Sequence, residues 1–194
     1  MIYATLPFGA DHQSSEHDPM YSQKAYDRFY GERLQAVGLT KPQSSKAMNP
    51  EKIEYALTTQ YTYSAADTYS LCQFVHGNTW QLYDVRDMAE LNSAATGWET
   101  TVEDIQRTGR RRLNLMRAFN AREGLTRDQD TLPKKLFKKA LEHGRSEGIV
   151  MDNEEFQHGL DMYFEQAGWD NNGTPTRATL EEIGLAWVAD DLGL

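Results

Sequence analysis

Residues 67 to 72 read DTYSLC and place the carboxylate of Asp67 five positions ahead of Cys72, the only cysteine in the chain. A thiolate is the usual protein ligand of iron in iron–sulfur clusters, and such a cluster takes four ligands as a rule. One cysteine cannot build it. If Cys72 is a ligand, its companions come from another polypeptide segment. Without further information the plainer reading is favoured, in which a lone cysteine serves as a small hydrophobe. His12 and His17, with Glu16 and Asp18 beside them, offer a second set of metal-capable atoms. Their spacing of five does not match a helical i,i+4 pair, and no second ligand pair with zinc-site spacing accompanies them. Ordinary loop histidines are the better expectation. The segment DNNGTPTRATLE, from Asp170 to Glu181, imitates a calcium-binding loop by its oxygen side chains, but Pro175 stands where the sixth-position glycine is needed. A turn followed by a helix cap fits it better. Finally, Arg107, Arg110, Arg111, Arg112, Arg117 and Arg122 crowd one segment. Pairing with neighbouring carboxylates is the first expectation; contact with a buried anion or a partner surface is the second.

These residues must be held by helices, since the apolar periodicity is helical almost throughout. Asn49 and Pro50 form a start signal, cap then proline, and Ile53, Leu57, Tyr61, Ala65 and Thr68 make a stripe leading to DTYSLC. Thr100 and Glu103 are expected to form a capping box. Behind them Val102, Ile105, Gly109, Arg112, Met116 and Phe119 trace one face as far as Gly124. Gly109 inside a helix costs about 1 kcal/mol relative to alanine, so another backbone should pack closely there. Asp152 and Glu155 are expected to form another capping box, opening a helix with Phe156, Leu160, Tyr163, Phe164 and Ala167 inward and Gly168 as its stop. A last short helix carries Leu180 and Ile183. Breakers mark loops at Pro42 to Pro50, Thr131 to Pro133, Gly144 to Gly148 and Asn172-Gly173. Strand patterns are confined to Ile2–Leu6 and Thr79–Tyr83. The expected class is mainly α, with residues 1–194 as a single helical domain.

Composition narrows the partners. A chain of 194 residues can bury roughly 70% of its unfolded surface, and 39% apolar content with a mean hydropathy of −0.70 is that of a polar folded protein. The net charge of −9 repels phosphates, which argues against general nucleic-acid or anionic-membrane binding. There is no apolar run of about 18 residues, no cationic-then-apolar leader and no possibility of an internal disulfide. A reducing cytoplasm is the expected location.

Three long stretches carry a resemblance. RRRLNLMRAFNAREGLTRDQDTLPKKLF (residues 110 to 137), MYFEQAGWDNNGTPTRATLEEIGL (162 to 185) and YATLPFGADH (3 to 12) resemble the tungsten-containing aldehyde ferredoxin oxidoreductases, in that family's order. With DTYSLC they are spread along essentially the whole chain, from residue 3 to residue 185, and the chain resembles the family's C-terminal helical domain. The resemblance implies an enzyme that oxidises aldehydes to carboxylic acids with water as oxygen source and passes two electrons to ferredoxin. It implies two cofactors, a tungsten held by the dithiolene sulfurs of two pterins and a 4Fe-4S cluster. The family's D-x-x-G-L-C motif maps onto Asp67, Leu71 and Cys72. Asp67 would then accept hydrogen bonds from a pterin's amino-pyrimidine edge, Leu71 would flank that cofactor, and Cys72 would be the fourth cluster ligand. The other three cysteines would come from an upstream C-x-x-C-x-x-x-C segment. His12 falls where the family places a histidine near the metal, suited to moving a proton as water adds to the carbonyl. Two departures accompany the match. Ser70 replaces the motif's glycine, and Met1 falls inside a family stretch. The chain is therefore expected to work with absent N-terminal domains or a split partner subunit, to be inactive alone, and to expose apolar surface where they dock. The alternative is a degenerate, cofactor-free helical interaction module.

Overall fold

The computed structural model describes residues 1–144 and 146–194. Among them the chain runs through α1 (Ile2–Thr5), α2 (Gln23–Ala25), α3 (Gly31–Gln35), α4 (Pro50–Thr68) and α5 (Val85–Thr96). It continues through α6 (Val102–Arg122), α7 (Lys135–Lys138), α8 (Asn153–Ala167), α9 (Arg177–Glu182) and α10 (Ala186–Leu192). No strand forms among the described residues; extended backbone meets only in two isolated bridges, His76 with Tyr83 and Trp169 with Pro175. The fold is mainly α.

Helix α4 is the axis, with α6 packed along one side and α8 along another. Its start is the expected one: the Asn49 side chain accepts a hydrogen bond from the Lys52 backbone N–H, and Pro50 occupies the first turn. Where α4 crosses α6, Gly109 lies so close to the Tyr61 carbonyl that a Cβ built there would stand 1.8 Å from the oxygen. That is the close backbone approach expected of a mid-helix glycine. Between α4 and α8, Ile53, Leu57, Phe156, Leu160 and Tyr163 form the main core. Burying each such side chain contributes about 2 kcal/mol. A second cluster joins the end of α4 to α5 and α6 through Ala65, Ala66, Val85, Met88 and Ile105.

Several local expectations are corrected. The cap of α6 sits one residue later than the Thr100–Glu103 pair. Thr101 accepts from the Asp104 N–H, and Asp104 accepts from the Thr101 N–H, while Thr100 is taken up by Asn92 and Ser93. Of the expected Asp152–Glu155 box only half forms: Asp152 caps α8 by accepting from the Glu155 N–H, without a reciprocal bond from the Glu155 side chain. Ile2–Thr5 is helical rather than extended, with Leu6 its extended cap; Ala4, Thr5 and Leu6 are buried in succession, a pattern that an alternating strand does not allow. Thr79–Tyr83 alternates but finds no partner strand. Helix α5 is not among the expected elements; a full Asp84–Asp87 capping box opens it, and Val85, Met88 and Ala89 form its buried face. The breakers of the Gly144 to Gly148 loop are in turn conformation at their described positions, and Arg145 lies outside the described residues.

Candidate functional site

The end of α4 explains the DTYSLC stretch. Its last turn closes with the Ser70 N–H donating to the Asp67 carbonyl at 3.1 Å and the Leu71 N–H to the Ala66 carbonyl at 2.8 Å. This double bond pattern is the Schellman termination, in which the residue after the cap turns left-handed. That residue is Ser70, at φ +57°, the only non-glycine residue with positive φ among the described residues. A side chain there costs roughly 1–2 kcal/mol relative to glycine, which is the physical reason a glycine suits this slot. Leu71 then packs against the cluster that contains Ala66, completing the apolar contact that accompanies such a cap. The reversal throws Cys72 outward, and its thiol is exposed.

Asp67 occupies the same corner. One carboxylate oxygen accepts from Gln73 Nε2 at 2.7 Å, and the other lies 3.2 Å from Arg112 Nη1. The side chain keeps about a third of its surface open (32%), so lone pairs remain for a further donor. A small cleft beside it is lined by Phe8, Ser64, Tyr63, Gln73 and Arg112. The structure therefore brings Asp67, Leu71 and Cys72 together at one helix end.

His12 is placed elsewhere. It lines a separate groove with Tyr3, Glu16 and His17. Tyr3 Oη lies 2.8 Å from His12 Nδ1, and the His12 ring stacks on His17 with centroids 4.4 Å apart. The two regions are joined through the protein rather than across a shared cavity. Buried Glu16 accepts from Tyr63 Oη at 3.2 Å, and Tyr63, which lines the Asp67 cleft, accepts in turn from Gln81 Nε2. Burial, reinforced by the Glu16 carboxylate, pushes the Tyr63 phenol well above its ordinary range. It stays protonated as a donor.

The arginines divide mostly as the first expectation had it. Arg110 pairs with Glu182, Arg112 with Asp67, Arg117 with Asp130 and Arg122 with Asp191. The Asp170 loop spends its carboxylate on the Asn172 and Thr174 N–H groups and leads to the Thr176 cap of α9.

Residues that sequence reasoning did not single out hold the segment after Cys72. Arg33 Nη1 donates to the Thr79 and Gln81 carbonyls, each at 2.6 Å, and Nη2 to the Leu82 carbonyl at 3.3 Å. Asn78 Oδ1 accepts from Thr62 Oγ1 on α4 at 2.9 Å. Arg33 stands far upstream in no motif, so no local signal marks it; Gln73 was readable only as a polar neighbour of the motif.

The corner suits the cofactors in its donor set. An exposed thiol can ligate iron, and a half-open carboxylate can take N–H donors. No group of three or more His, Cys, Asp or Glu side chains converges among the described residues, so a cluster at Cys72 would need further thiolates. No helix among them is long and apolar enough to cross a membrane.

Comparison with known proteins adds the context. The family model described as aldehyde ferredoxin oxidoreductase, domains 2 and 3, matches residues 1–185. The tungsten-containing aldehyde ferredoxin oxidoreductase of Pyrococcus furiosus is 33% identical over 141 residues, 72% of this chain and 22% of the relative. Its counterpart in Thermococcus kodakarensis is 32% identical over 142 residues, with 72% and 22% covered. The chain thus spans about a fifth of the length of these relatives. A solved structure titled active site complex BamBC of benzoyl coenzyme A reductase, in complex with 1,5-dienoyl-CoA, superposes with a TM-score of 0.64 at 20% identity. It covers 90% of this chain and 26% of that one, and the likeness is one of fold.

Proposed function

This chain belongs to the aldehyde ferredoxin oxidoreductase family, and from that premise we propose that it forms one wall of a tungstopterin centre and gives one thiolate to a 4Fe-4S cluster. The whole enzyme would oxidise small aldehydes to carboxylic acids, with ferredoxin as electron acceptor, in a reducing cytoplasm. When bound, the tungstopterin supplies the two-electron oxidation and the cluster carries the electrons outward.

The chain's own residues have narrower tasks. Asp67 accepts hydrogen bonds from the amino-pyrimidine edge of a pterin, as a carboxylate does from paired N–H donors. Leu71 flanks that cofactor and anchors the helix end. Cys72 holds iron as a thiolate. His12, with Tyr3 at its Nδ1, keeps Nε2 as the ring atom that holds or releases a proton. The rest of the active site comes from N-terminal domains or a partner subunit, and the chain alone shows no turnover.

The observation that carries this reading is the left-handed Ser70, a backbone conformation that glycine adopts at least cost, which turns the Cys72 thiol to the open surface. A second reading, a cofactor-free interaction module, is favoured by Asp67 being already engaged by Gln73 and Arg112. One experiment separates them. The chain is produced together with the cysteine-bearing part of its enzyme, and Cys72→Ala is compared with the unaltered protein. The visible cluster absorption is expected to fall; a cluster spectrum and activity untouched by the substitution would remove Cys72 from the ligand set and leave the module.

A further inference from the structure

Between Cys72 and Tyr83 the usual relation of polarity to burial is reversed. Asn78, Thr79 and Gln81 are buried, at 0%, 1% and 2% exposure, while Phe74, Trp80, Leu82 and Tyr83 are open at 63%, 36%, 68% and 45%. An isolated surface apolar side chain is ordinary; a contiguous set marks an interaction surface. This set is not a floppy loop caught outward. Arg33 holds the Thr79, Gln81 and Leu82 carbonyls from beneath. The Gly77 N–H donates to the Tyr83 carbonyl at 3.0 Å and the Tyr83 N–H to the Val75 carbonyl at 2.9 Å. Phe74 and Trp80 meet edge to face with centroids 6.0 Å apart. Gln81 Oε1 accepts from the Thr79 N–H at 3.1 Å and Asn78 Oδ1 from Thr62 Oγ1 of α4 at 2.9 Å, so these two polar side chains tie the loop inward while the apolar ones are held out.

We infer that the outward face of the Cys72–Tyr83 loop is the docking surface for the polypeptide that carries the other three cluster cysteines. The inference rests on the reading of Cys72 as a cluster ligand. Four thiolates on one cluster bring the second backbone within a side chain's length of Cys72, and the apolar residues lie within eleven positions of it in sequence. The relatives offer ample chain for the occupant, since this one spans only 22% of their length. Beyond Tyr83 the surface continues into a groove with His76 and Leu91, rimmed by Asp87 and Glu90. The matching face of the occupant is therefore apolar at its centre with Lys or Arg at that rim.

The test uses this chain and the cysteine-bearing part of the same enzyme as two separately tagged molecules, with assembly followed by size exclusion and hydrogen exchange. Leu82→Asp and Trp80→Asp are expected to weaken assembly at least tenfold with helical circular dichroism unchanged. Trp187→Asp, at a more open tryptophan on α10 (61%), is expected to leave it intact. Cys72→Ala should lower the cluster absorption while assembly persists. Assembly unaffected by Leu82→Asp and Trp80→Asp overturns the proposal, as does equal damage from Trp187→Asp. It is overturned too if those loop variants only disperse copies of this chain from one another. A cluster spectrum unchanged in Cys72→Ala defeats the ligand reading instead, and the loop variants still decide the docking face.

Discussion

Ser70 concentrates the relation between motif and geometry at the residue scale. Its left-handed backbone is required because two carbonyls of α4, those of Ala66 and Asp67, are satisfied only by reversing the chain at this point. Ser70→Gly is expected to stabilise the chain by about 1 kcal/mol, measured by denaturant unfolding, with the fold unchanged. An equal or lower stability would mean that serine has found compensation in this position. The Asp67–Arg112 contact joins two side chains each about a third exposed, so Arg112→Ala should change stability by less than ~1 kcal/mol. The motif's acid, leucine and thiol were legible from their order in the sequence. What was not legible was the pairing of Asp67 with Arg112, since nothing local brings together residues on two different helices.

The crossing of α4 and α6 and the loop behind α6 set the terms at the scale of elements. Gly109→Ala gains about 1 kcal/mol of helix propensity. It must still push the Tyr61 backbone aside, and overpacking of this kind costs typically 1–3 kcal/mol or more. A lower melting temperature is expected, and a rise would mean that the helices part without penalty. Arg117 and Asp130 are 3% and 5% exposed and pair through two hydrogen bonds, at 2.8 and 2.5 Å. The guanidinium also donates to the Gly173 carbonyl at 2.6 Å and lies 4.7 Å from the Trp169 ring centre. Asp130→Ala strands that cation and should cost about 3–5 kcal/mol, readable as a shift in the denaturant midpoint. The sequence marked Arg117 only as one of six arginines. Its burial could not be seen there, because the partner stands in a loop and the aromatic wall in a third segment.

Five tyrosines matter at the scale of the whole molecule. Burial pushes the Tyr21 and Tyr61 phenols up to about 12 and those of Tyr55, Tyr63 and Tyr163 higher still, from an ordinary value of 10.0. A group whose folded value is raised contributes stability that is complete below its unfolded value and disappears as pH climbs through the folded one. Stability should hold up to about pH 10 and fall between roughly pH 10 and 12, with tyrosinate absorbance appearing together with loss of helical dichroism. The chain has ten tyrosines, so more than five phenols' worth of tyrosinate appearing before the helices melt would mean that these buried phenols titrate in the folded chain.

Length, charge and apolar spacing were enough to establish a polar, mainly helical chain, the start of α4 and the start and stop of α8, because helix caps and stripes are contacts between near neighbours. The family stretches and the acid–thiol motif could be read for the same reason: each is an unbroken run of residues. Tertiary structure decided the rest. It put His12 in a groove apart from Asp67, and turned Ile2–Thr5 of the Ile2–Leu6 alternation into a helical turn. It also gave Arg33 the carbonyls of a loop more than forty positions away. Those outcomes depend on which distant surfaces meet, and the free energy of that meeting is written in no local window of the chain.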